Sequence, residues 1–323
     1  MKKTVFLILA FIIIGVGVYY FKPPVPPVSE PKESIYVNAQ DMGAYSKMQK
    51  LTAVLENNEK KVILSGKENF KSGLFNIYAA SDIHHLPKVL DNRAINMLLL
   101  PNVPDNTSEI LRPYDVIVVE NMSSFSHLKA INMRTAFIPP AIDIRYKQLK
   151  NPVKNYPMFY GNNDSGFSLS LYLAGPTDLK VDVYGTGFSG YWSDADIIAP
   201  TPSTDDFQRY PLVLVDQSEE DIKDETVNAR IIEVIEQGGL PYLRYNSGVA
   251  KMFGEAVPMY MTQEEFLPEI KRLLNSSKEL KERREAIRRI ADGWNSNSQA
   301  QKIIELFDVM KKKMRKVEDI QHP

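Results

Sequence analysis

Short apolar runs alternate with amphipathic stretches along most of the chain from residue 34 onwards. A short continuous apolar run is typical of a strand buried on both faces, whereas apolar residues spaced by three or four are typical of a helix. Their alternation predicts a parallel sheet covered by helices, and therefore an α/β fold. The predicted strands are residues 35–37, 61–64, 75–78, 97–100, 116–119, 158–160, 179–184, 212–215 and 240–243.

Helical spacing lies between these runs, and the end of the chain is entirely helical in pattern. Thr262-x-x-Glu265 is a capping box, which marks a helix start ahead of a hydrophobic run. The predicted helices cover residues 44–55, 83–90, 226–237, 278–290 and 298–313, with one more beginning at the capping box.

A polar stretch at residues 148–157, with two prolines, interrupts the alternation and divides the chain into two halves. At 323 residues the chain exceeds the usual size of a single hydrophobic core. We therefore predict two Rossmann-like domains with C-terminal helices. Residues 34–152 form the first domain, residues 153–297 the second, and residues 298–323 a C-terminal helix and tail.

The first 22 residues have a different pattern. An uncharged, mostly apolar run covers residues 4–21 and, as a helix, spans about 27 Å, enough to cross a bilayer. A cleaved signal peptide and a retained anchor both fit this run. The aromatic ending Tyr19-Tyr20-Phe21 favours an anchor, which we assign to residues 1–22. Lys2 and Lys3 precede the run, so the N-terminus is expected in the cytosol and the body outside, in the periplasm or extracellular space.

Residues 23–33 follow as a proline-rich spacer, since five prolines occur in the eleven residues from 22 to 32. Such a segment favours an extended conformation that holds the folded part away from the membrane. The expected location is thus the cytoplasmic membrane, with a single pass through it.

Charge and composition exclude several classes of function. The chain has 39 basic and 40 acidic residues, so there is no basic excess for a nucleic-acid backbone, and we expect no nucleic-acid partner. It has no cysteine, and its four histidines lack the i, i+4 spacing of a helical zinc site. We predict neither a metal site nor a cofactor.

One glycine motif follows a predicted strand. Gly185-Thr-Gly187-Phe-Ser-Gly190 fits G-x-G-x-x-G, but the residues after it lack the helical stripe of a dinucleotide site. A tight turn at the end of a strand explains the same glycines. Because ligands of α/β sheets bind at this edge, Gly185 and Gly187 are candidates for lining a cleft.

A second informative segment runs from Arg230 to Pro241. Its apolar positions predict a helix packed on the sheet, with Arg230 and Glu233 on another face and Gly238-Gly239 ending the helix. Taken alone, this pattern is also that of an exposed helix face with a glycine cap.

From here to the C-terminal helices the sequence resembles the donor domain of group 1 glycosyltransferases, and within them the spore-coat-maturation-like branch. The similarity covers about residues 114–310 and implies a GT-B fold. The matching segments are Arg230-x-x-Glu233, Gly238-Gly239, Asn246-Ser-Gly248, Phe253-Gly254, Val257-Pro-Met-Tyr260 and, upstream, Tyr114-Asp-Val-Ile-Val-Val119, His127-Leu-Lys and Thr135-Ala-Phe-Ile-Pro-Pro-Ala-Ile-Asp143.

The resemblance implies roles for individual residues. Glu233 would hold the ribose or the donor sugar, and the spacing Glu225-x7-Glu233 is similar to the paired glutamates of the retaining members. Glycines at strand ends would admit the diphosphate, with arginines as its partners. The implied donor-binding residues are Gly161, Gly185, Gly187, Arg230, Glu233, Gly238, Gly239 and Arg244. His84 and His85, after the third predicted strand, are candidates for a general base, although a solvent-exposed histidine pair fits the same place.

Two features depart from the family pattern. Between Lys154 and Arg230 the chain has only three basic residues, although a diphosphate needs positive charge or aligned backbone N–H groups. Nucleotide sugars are also cytosolic, whereas the expected body lies outside. Three explanations resolve this conflict. The membrane orientation is the reverse of the expected one, the donor is a lipid-linked sugar, or the fold has lost its catalytic activity.

We therefore expect a membrane-anchored glycosyltransferase that transfers a sugar to an envelope glycan, lipid or protein. The alternative is an inactive GT-B module outside the membrane, acting as a scaffold or glycan-binding subunit of an envelope complex.

Overall fold

The computed structural model describes residues 34–57, 61–66, 75–81, 83–87, 90, 94–103, 107–162, 179–188, 197–199 and 201–321. These residues build two separate six-stranded sheets, and every strand pair in both sheets is parallel. The prediction of two parallel α/β domains is therefore confirmed.

The first sheet has the strand order β2-β1-β3-β4-β5-β6. The chain leaves β1 in one direction to form β2 and then crosses back to β3, so the switch point of the sheet lies between β1 and β3. The strands are β1 (Ile35–Ala39), β2 (Val62–Gly66), β3 (Phe75–Ala79), β4 (Ile95–Leu100), β5 (Val116–Val119) and β6 (Thr135–Phe137), and the helices are α1 (Met42–Asn57), α2 (Ser108–Leu111) and α3 (Met122–Ala130).

The second sheet has the order β12-β11-β10-β7-β8-β9, which is the strand order of a Rossmann fold. Its switch point lies between β7 and β10, which are direct neighbours. Its elements are β7 (Met158–Tyr160), β8 (Asp182–Tyr184), β9 (Ile197–Ala199), α4 (Asp206–Arg209), β10 (Val213–Val215), α5 (Glu219–Lys223), α6 (Ala229–Glu236), β11 (Pro241–Arg244), α7 (Ser247–Phe253) and β12 (Met259–Tyr260).

Three helices end the chain, and the last one returns to the first domain. They are α8 (Gln263–Leu274), α9 (Ser277–Asp292) and α10 (Ser296–Gln321). Ala300, Ile303 and Phe307 of α10 are buried in the core of the first sheet, and the Phe307 ring meets Phe75 edge-on at 5.6 Å. The chain therefore crosses between the domains twice, once after β6 and once before α10.

Two predicted helices differ from the observed ones, because a proline and a side-chain cap determine where a helix can form. The predicted helix over residues 83–90 is wrong, because the described residues of this range (83–87 and 90) form a 3-10 turn at Ile83–His85 and no α-helix. Pro87 disfavours a helical conformation of the residue before it. Helix α6 begins at Ala229 instead of residue 226, since the Asn228 side chain accepts a hydrogen bond from the Ile231 N–H at 3.1 Å and caps the helix.

The predicted membrane helix (residues 1–22) and spacer (residues 23–33) lie outside the described residues. Within the described ranges from residue 34 onwards, no helix has the length and apolar character needed to cross a bilayer.

Candidate functional site

The carboxyl ends of the two sheets face each other across a cleft. Asn102, two residues beyond β4, donates a hydrogen bond from Nδ2 to Oδ2 of Asp224, which ends α5, at 2.8 Å. The Asn102 amide is held in place from its own side, because its Oδ1 accepts a hydrogen bond from Ser124 Oγ at 2.9 Å. In parallel α/β sheets this edge is where ligands bind, so the cleft is the candidate site.

Backbone packs directly on backbone at the switch point of the second sheet. Gly161 follows β7 and Gly185 follows β8, and a Cβ on Gly185 would lie 1.6 Å from the Gly161 carbonyl oxygen. A Cβ on Gly161 would in turn lie 3.0 Å from the Asp216 Cβ, just beyond β10. Only glycine fits at Gly185, and the resulting close packing keeps side chains out of this corner of the cleft.

Tyr160 and Glu233 form the central polar contact beside these glycines. The Tyr160 hydroxyl, at the carboxyl end of β7, donates a 2.7 Å hydrogen bond to Oε2 of Glu233 on α6. Burial and this hydrogen bond raise the pKa of Tyr160 to about 12, so the phenol is neutral and acts as the donor at physiological pH. Glu233 is only half-buried, which leaves its carboxylate accessible from the cleft.

Arg230 lies in the first turn of α6 and contacts the same corner. With the Asn162 amide assigned in the orientation that its neighbours favour, Arg230 Nη2 donates to the Asn162 side-chain oxygen at 3.1 Å, and the Asn162 amide nitrogen donates to the Gly161 carbonyl at 3.0 Å. The positive end of the α6 dipole adds to the guanidinium charge. A helix N-terminus with an arginine beside it is a favourable place for an anion.

The other basic candidate, Arg244, ends β11 at the same edge of the sheet. Its guanidinium forms an ion pair with Glu219, and its carbonyl oxygen accepts a hydrogen bond from Gln217 Nε2 at 2.9 Å. Glu225 does not join Glu233, because its carboxylate binds Lys251 Nζ at 2.6 Å on α7. The two glutamates of the Glu225-x7-Glu233 spacing therefore have different partners.

The remaining glycines divide between the two edges of the sheet. Gly187 lies exposed in the turn after β8, with a φ of 83°, at the cleft edge. Gly238 and Gly239 end α6 at the opposite, amino edge, where a Cβ on Gly239 would lie 3.1 Å from Val213 at the start of β10. The structure therefore does not bring Gly238 and Gly239 to the cleft, and they serve to end the helix.

The first domain brings a carboxylate and a histidine to its own switch point. Asp41, after β1, accepts hydrogen bonds from the Ser81 N–H and hydroxyl, each at 2.7 Å, after β3. His85 Nδ1 lies 4.0 Å from the Asp41 carboxylate, and His84 is exposed beside it. Partial burial raises the pKa of Asp41, but hydrogen bonds from Ala44 and Ser81 outweigh it and hold the pKa below its usual value.

A small apolar cavity lies behind this edge, between α1, the sheet and α10. It has a volume of about 70 Å³, and Ser81, Lys47 and Glu120 are among its lining residues. Lys47 and Glu120 form an ion pair at the edge. The cavity is large enough for a small apolar group but not for a sugar nucleotide.

Tyr160, Asn162 and Asp41 are the site residues that the sequence did not single out. Each one ends or directly follows a strand of the sheet: Tyr160 closes β7, and Asp41 lies two residues beyond β1. A search for polar side chains at predicted strand ends identifies such residues. In the part of the chain that the structure describes, no group of three His, Cys, Asp or Glu side chains is placed to hold a metal ion.

No protein-family model and no curated protein matches this chain. Solved structures that align with it include a protein of Listeria monocytogenes assigned as a UDP-N-acetylglucosamine 2-epimerase, with 11% identity, a TM-score of 0.47, and coverage of 85% of this chain and 95% of that one. A UDP-glucosyltransferase from Polygonum tinctorium aligns with 7% identity, a TM-score of 0.48 and coverage of 85% and 98%. MurG of Acinetobacter baumannii aligns with 10% identity, a TM-score of 0.45 and coverage of 85% and 99%.

Proposed function

We propose that the cleft binds the diphosphate of an activated sugar and that the chain is a glycosyltransferase of the GT-B type. The observation that carries this proposal is the cluster of Tyr160, Glu233 and Arg230 at the switch point of the second sheet, facing the first domain. A half-buried carboxylate, a neutral phenol and a cationic helix start supply the groups that a sugar diphosphate requires.

The roles follow from the chemistry of each group. Arg230 and the N-terminus of α6 bind the diphosphate and stabilise its charge as it leaves. Glu233 accepts hydrogen bonds from ribose or sugar hydroxyls, while Tyr160 holds the carboxylate in place. The close backbone packing at Gly161 and Gly185 makes room for the phosphates.

In the proposed transfer, an acceptor oxygen bonds to the anomeric carbon and the bond from that carbon to the phosphate oxygen breaks. The acceptor proton passes to a base, for which His85 with Asp41 at 4.0 Å, or His84, is the candidate on the first domain. The diphosphate leaves with the electron pair.

The proposal includes attachment to the cytoplasmic membrane through residues 1–22 and an acceptor in the cell envelope. With the body outside the membrane, the donor is a lipid-linked sugar diphosphate, and with the body inside it is a nucleotide sugar. Both donors share the diphosphate. A reporter fused after Pro323 that is active only in the cytosol favours the nucleotide donor, and one active only outside favours the lipid-linked donor.

An inactive module that binds glycans within an envelope complex is the second candidate. It is favoured by the engagement of both arginines, since Arg230 is bound to Asn162 and Arg244 to Glu219. Two of the three basic residues between Lys154 and Arg230 also lie away from the cleft, at the amino edge of the sheet. Lys180 contacts the Tyr156 ring there, and Arg209 pairs with Asp206.

Release of the nucleoside or prenyl diphosphate distinguishes the two candidates. The full chain is incubated with a panel of nucleotide sugars and prenyl-diphosphate sugars, with an envelope glycan and lipid fraction added as acceptor and water as the fallback acceptor, and the nucleoside or prenyl diphosphate released is measured. The enzyme is expected to release it catalytically from at least one donor, and Glu233→Gln is expected to lower the rate at least about tenfold. Binding of a glycan without any release supports the inactive module.

A further inference from the structure

A basic groove lies on the amino edge of the second domain, away from the cleft. It is bounded by α9 and by the linker before β7, and it has a volume of about 1240 Å³. Seven lysine and arginine side chains line it, against two carboxylates. The basic residues are Lys150, Lys154, Lys278, Lys281, Arg284, Arg288 and Arg289, and the acidic ones are Glu285 and Asp292.

Helix α9 presents five of its six basic residues to the groove as a row. Positions 278, 281, 284, 288 and 289 are spaced by three, three, four and one, so they lie along one side of the helix. The row is about 17 Å long at 1.5 Å per residue. Lys278 and Lys281 lie 3.8 and 4.0 Å from Glu282 and Glu285, and such exposed pairs exchange readily with other anions.

Within the part of the chain that the structure describes, no carboxylate forms an ion pair with the three arginines of the row. Among the ion pairs of the described residues, none includes Arg284, Arg288 or Arg289, although Arg288 lies 5.5 Å above the Tyr146 ring. Three guanidinium groups on one side of a helix repel each other unless an anion neutralises them. The arrangement is therefore favourable for a negatively charged ligand.

Arg284 is the most informative of the three, because it is only 5% exposed. Its Nη2 donates to the carbonyls of Tyr210 and Pro211, and its Nη1 donates to the carbonyl of Lys150 at 3.5 Å. Its Nε has no hydrogen-bond partner among the described residues. Burial lowers the pKa of Arg284 to about 10, so the group stays charged at neutral pH. A buried cation held only by carbonyl dipoles is costly without a counter-charge.

We propose that this groove binds a linear polymer that carries phosphate groups. Guanidinium groups match phosphate oxygens in geometry and charge, and a row of cations matches a repeating anion. A concave groove whose central arginine is recessed fits a chain that enters it, whereas a flat bilayer surface contacts only protruding side chains. The site is separate from the cleft, since it borders Pro211, just before β10, at the opposite edge from Tyr160.

Binding of a fluorescently labelled inorganic polyphosphate to the full-length protein tests the proposal by anisotropy. We expect saturable binding at low salt that weakens as salt rises. The double variant Arg288→Gln/Arg289→Gln is expected to bind at least about tenfold more weakly and to lower the slope of log affinity against log salt by about one to two.

The matched control is Lys271→Gln/Arg112→Gln, which removes two exposed charges outside the groove and is expected to change affinity less than about twofold. A nucleoside diphosphate is expected not to displace the polyphosphate. The proposal is overturned if the wild-type protein does not bind polyphosphate, or if it binds anionic vesicles instead. It is also overturned if both double variants lose affinity equally, or if the nucleoside diphosphate displaces the polyphosphate.

Discussion

Helix α6 carries two glutamates that have different roles. Glu233, in the middle of the helix, is half-buried and accepts one hydrogen bond, from Tyr160 in the cleft. Glu236, one turn later, is only 4% exposed, and its carboxylate accepts the Asp143 N–H at 3.0 Å and pairs with Arg145 Nη2 at 2.5 Å. The first glutamate keeps capacity for a ligand, whereas the second ties the interdomain linker to the second domain.

The linker contacts at the amino end of the sheet extend this difference. Asp143 accepts hydrogen bonds from the Ser296 N–H at 2.9 Å and hydroxyl at 2.6 Å, which joins both interdomain crossings at one point. The amino edge thus holds the domains together, and the carboxyl edge is left for chemistry. Substitutions at the two edges are expected to separate stability from ligand binding.

The largest expected effect tests the close backbone packing at the cleft. In Gly185→Ala the new Cβ overlaps the Gly161 carbonyl oxygen, so β7 and β8 must separate, at a cost of about 3 kcal/mol. Urea unfolding measures the change. Gly66→Ala is the control, because a Cβ there has no neighbour within 4 Å among the described residues, and its expected change is below about 0.5 kcal/mol. Equal losses in the two variants would contradict the packing described.

Substitution of the two glutamates of α6 compares their roles most directly. Glu236→Ala leaves the partly buried Asp143 N–H and the half-exposed Arg145 without their acceptor, and we expect a loss of about 2 kcal/mol in the free energy of unfolding. Glu233→Ala removes one half-buried hydrogen bond, and the expected loss is about 1 kcal/mol. If Glu233→Ala is the more destabilising substitution, the division of roles is wrong.

A third substitution sharpens the ligand side of the comparison. Tyr160→Phe removes the donor that orients Glu233, and we expect donor affinity to fall by about threefold to tenfold, with little change in thermal midpoint. The donor affinity is measured by isothermal titration calorimetry with the donor that the release assay identifies. Tyr156→Phe, at the amino edge, serves as control, and a similar loss of affinity there would show that the effect is not local to the cleft.

The smallest expected effect concerns Glu279, a carboxylate on α9 that is remote from both glutamates of α6. Hydrogen bonds from Arg272, together with Arg283, lower the pKa of Glu279 from 4.5 to about 2. The resulting stabilisation is present above pH 4.5 and is lost as the pH falls towards 2. In Glu279→Gln, the loss of stability between about pH 6 and about pH 3 is expected to be smaller by about 1 kcal/mol, as measured by urea unfolding at each pH. An unchanged pH dependence would contradict the assignment.

Local sequence pattern was sufficient to predict most of the fold. Buried strands such as β5 and β10 are continuous apolar runs, and their alternation with helices determined the parallel class. The bounds of α6 were missed because the Asn228 cap acts through a side-chain hydrogen bond that periodicity does not contain. The return of α10 to the first domain was also not predictable, because it depends on contacts such as Phe307 with Phe75, far apart in sequence.

The candidate site was predictable only where the chain folds locally. Arg230 and Glu233 share one helix, and Gly161 and Gly185 end neighbouring strands, so sequence spacing placed them together. Tyr160 was missed because its role depends on Glu233, which lies 73 residues away in the chain. Gly238 and Gly239 were grouped with the cleft by resemblance, although the direction of α6 carries them to the other edge.

Calorimetric titration of the full chain with diphosphates tests the central claim, which is that Arg230 and the start of α6 bind the diphosphate of a sugar donor. UDP, ADP, GDP and a short prenyl diphosphate are compared for wild type and Arg230→Gln. We expect at least one to bind with a Kd between about 1 µM and 1 mM and Arg230→Gln to weaken it about tenfold, while Arg288→Gln/Arg289→Gln leaves it unchanged. Absence of binding by all four, or equal affinity in wild type and Arg230→Gln, would contradict the account.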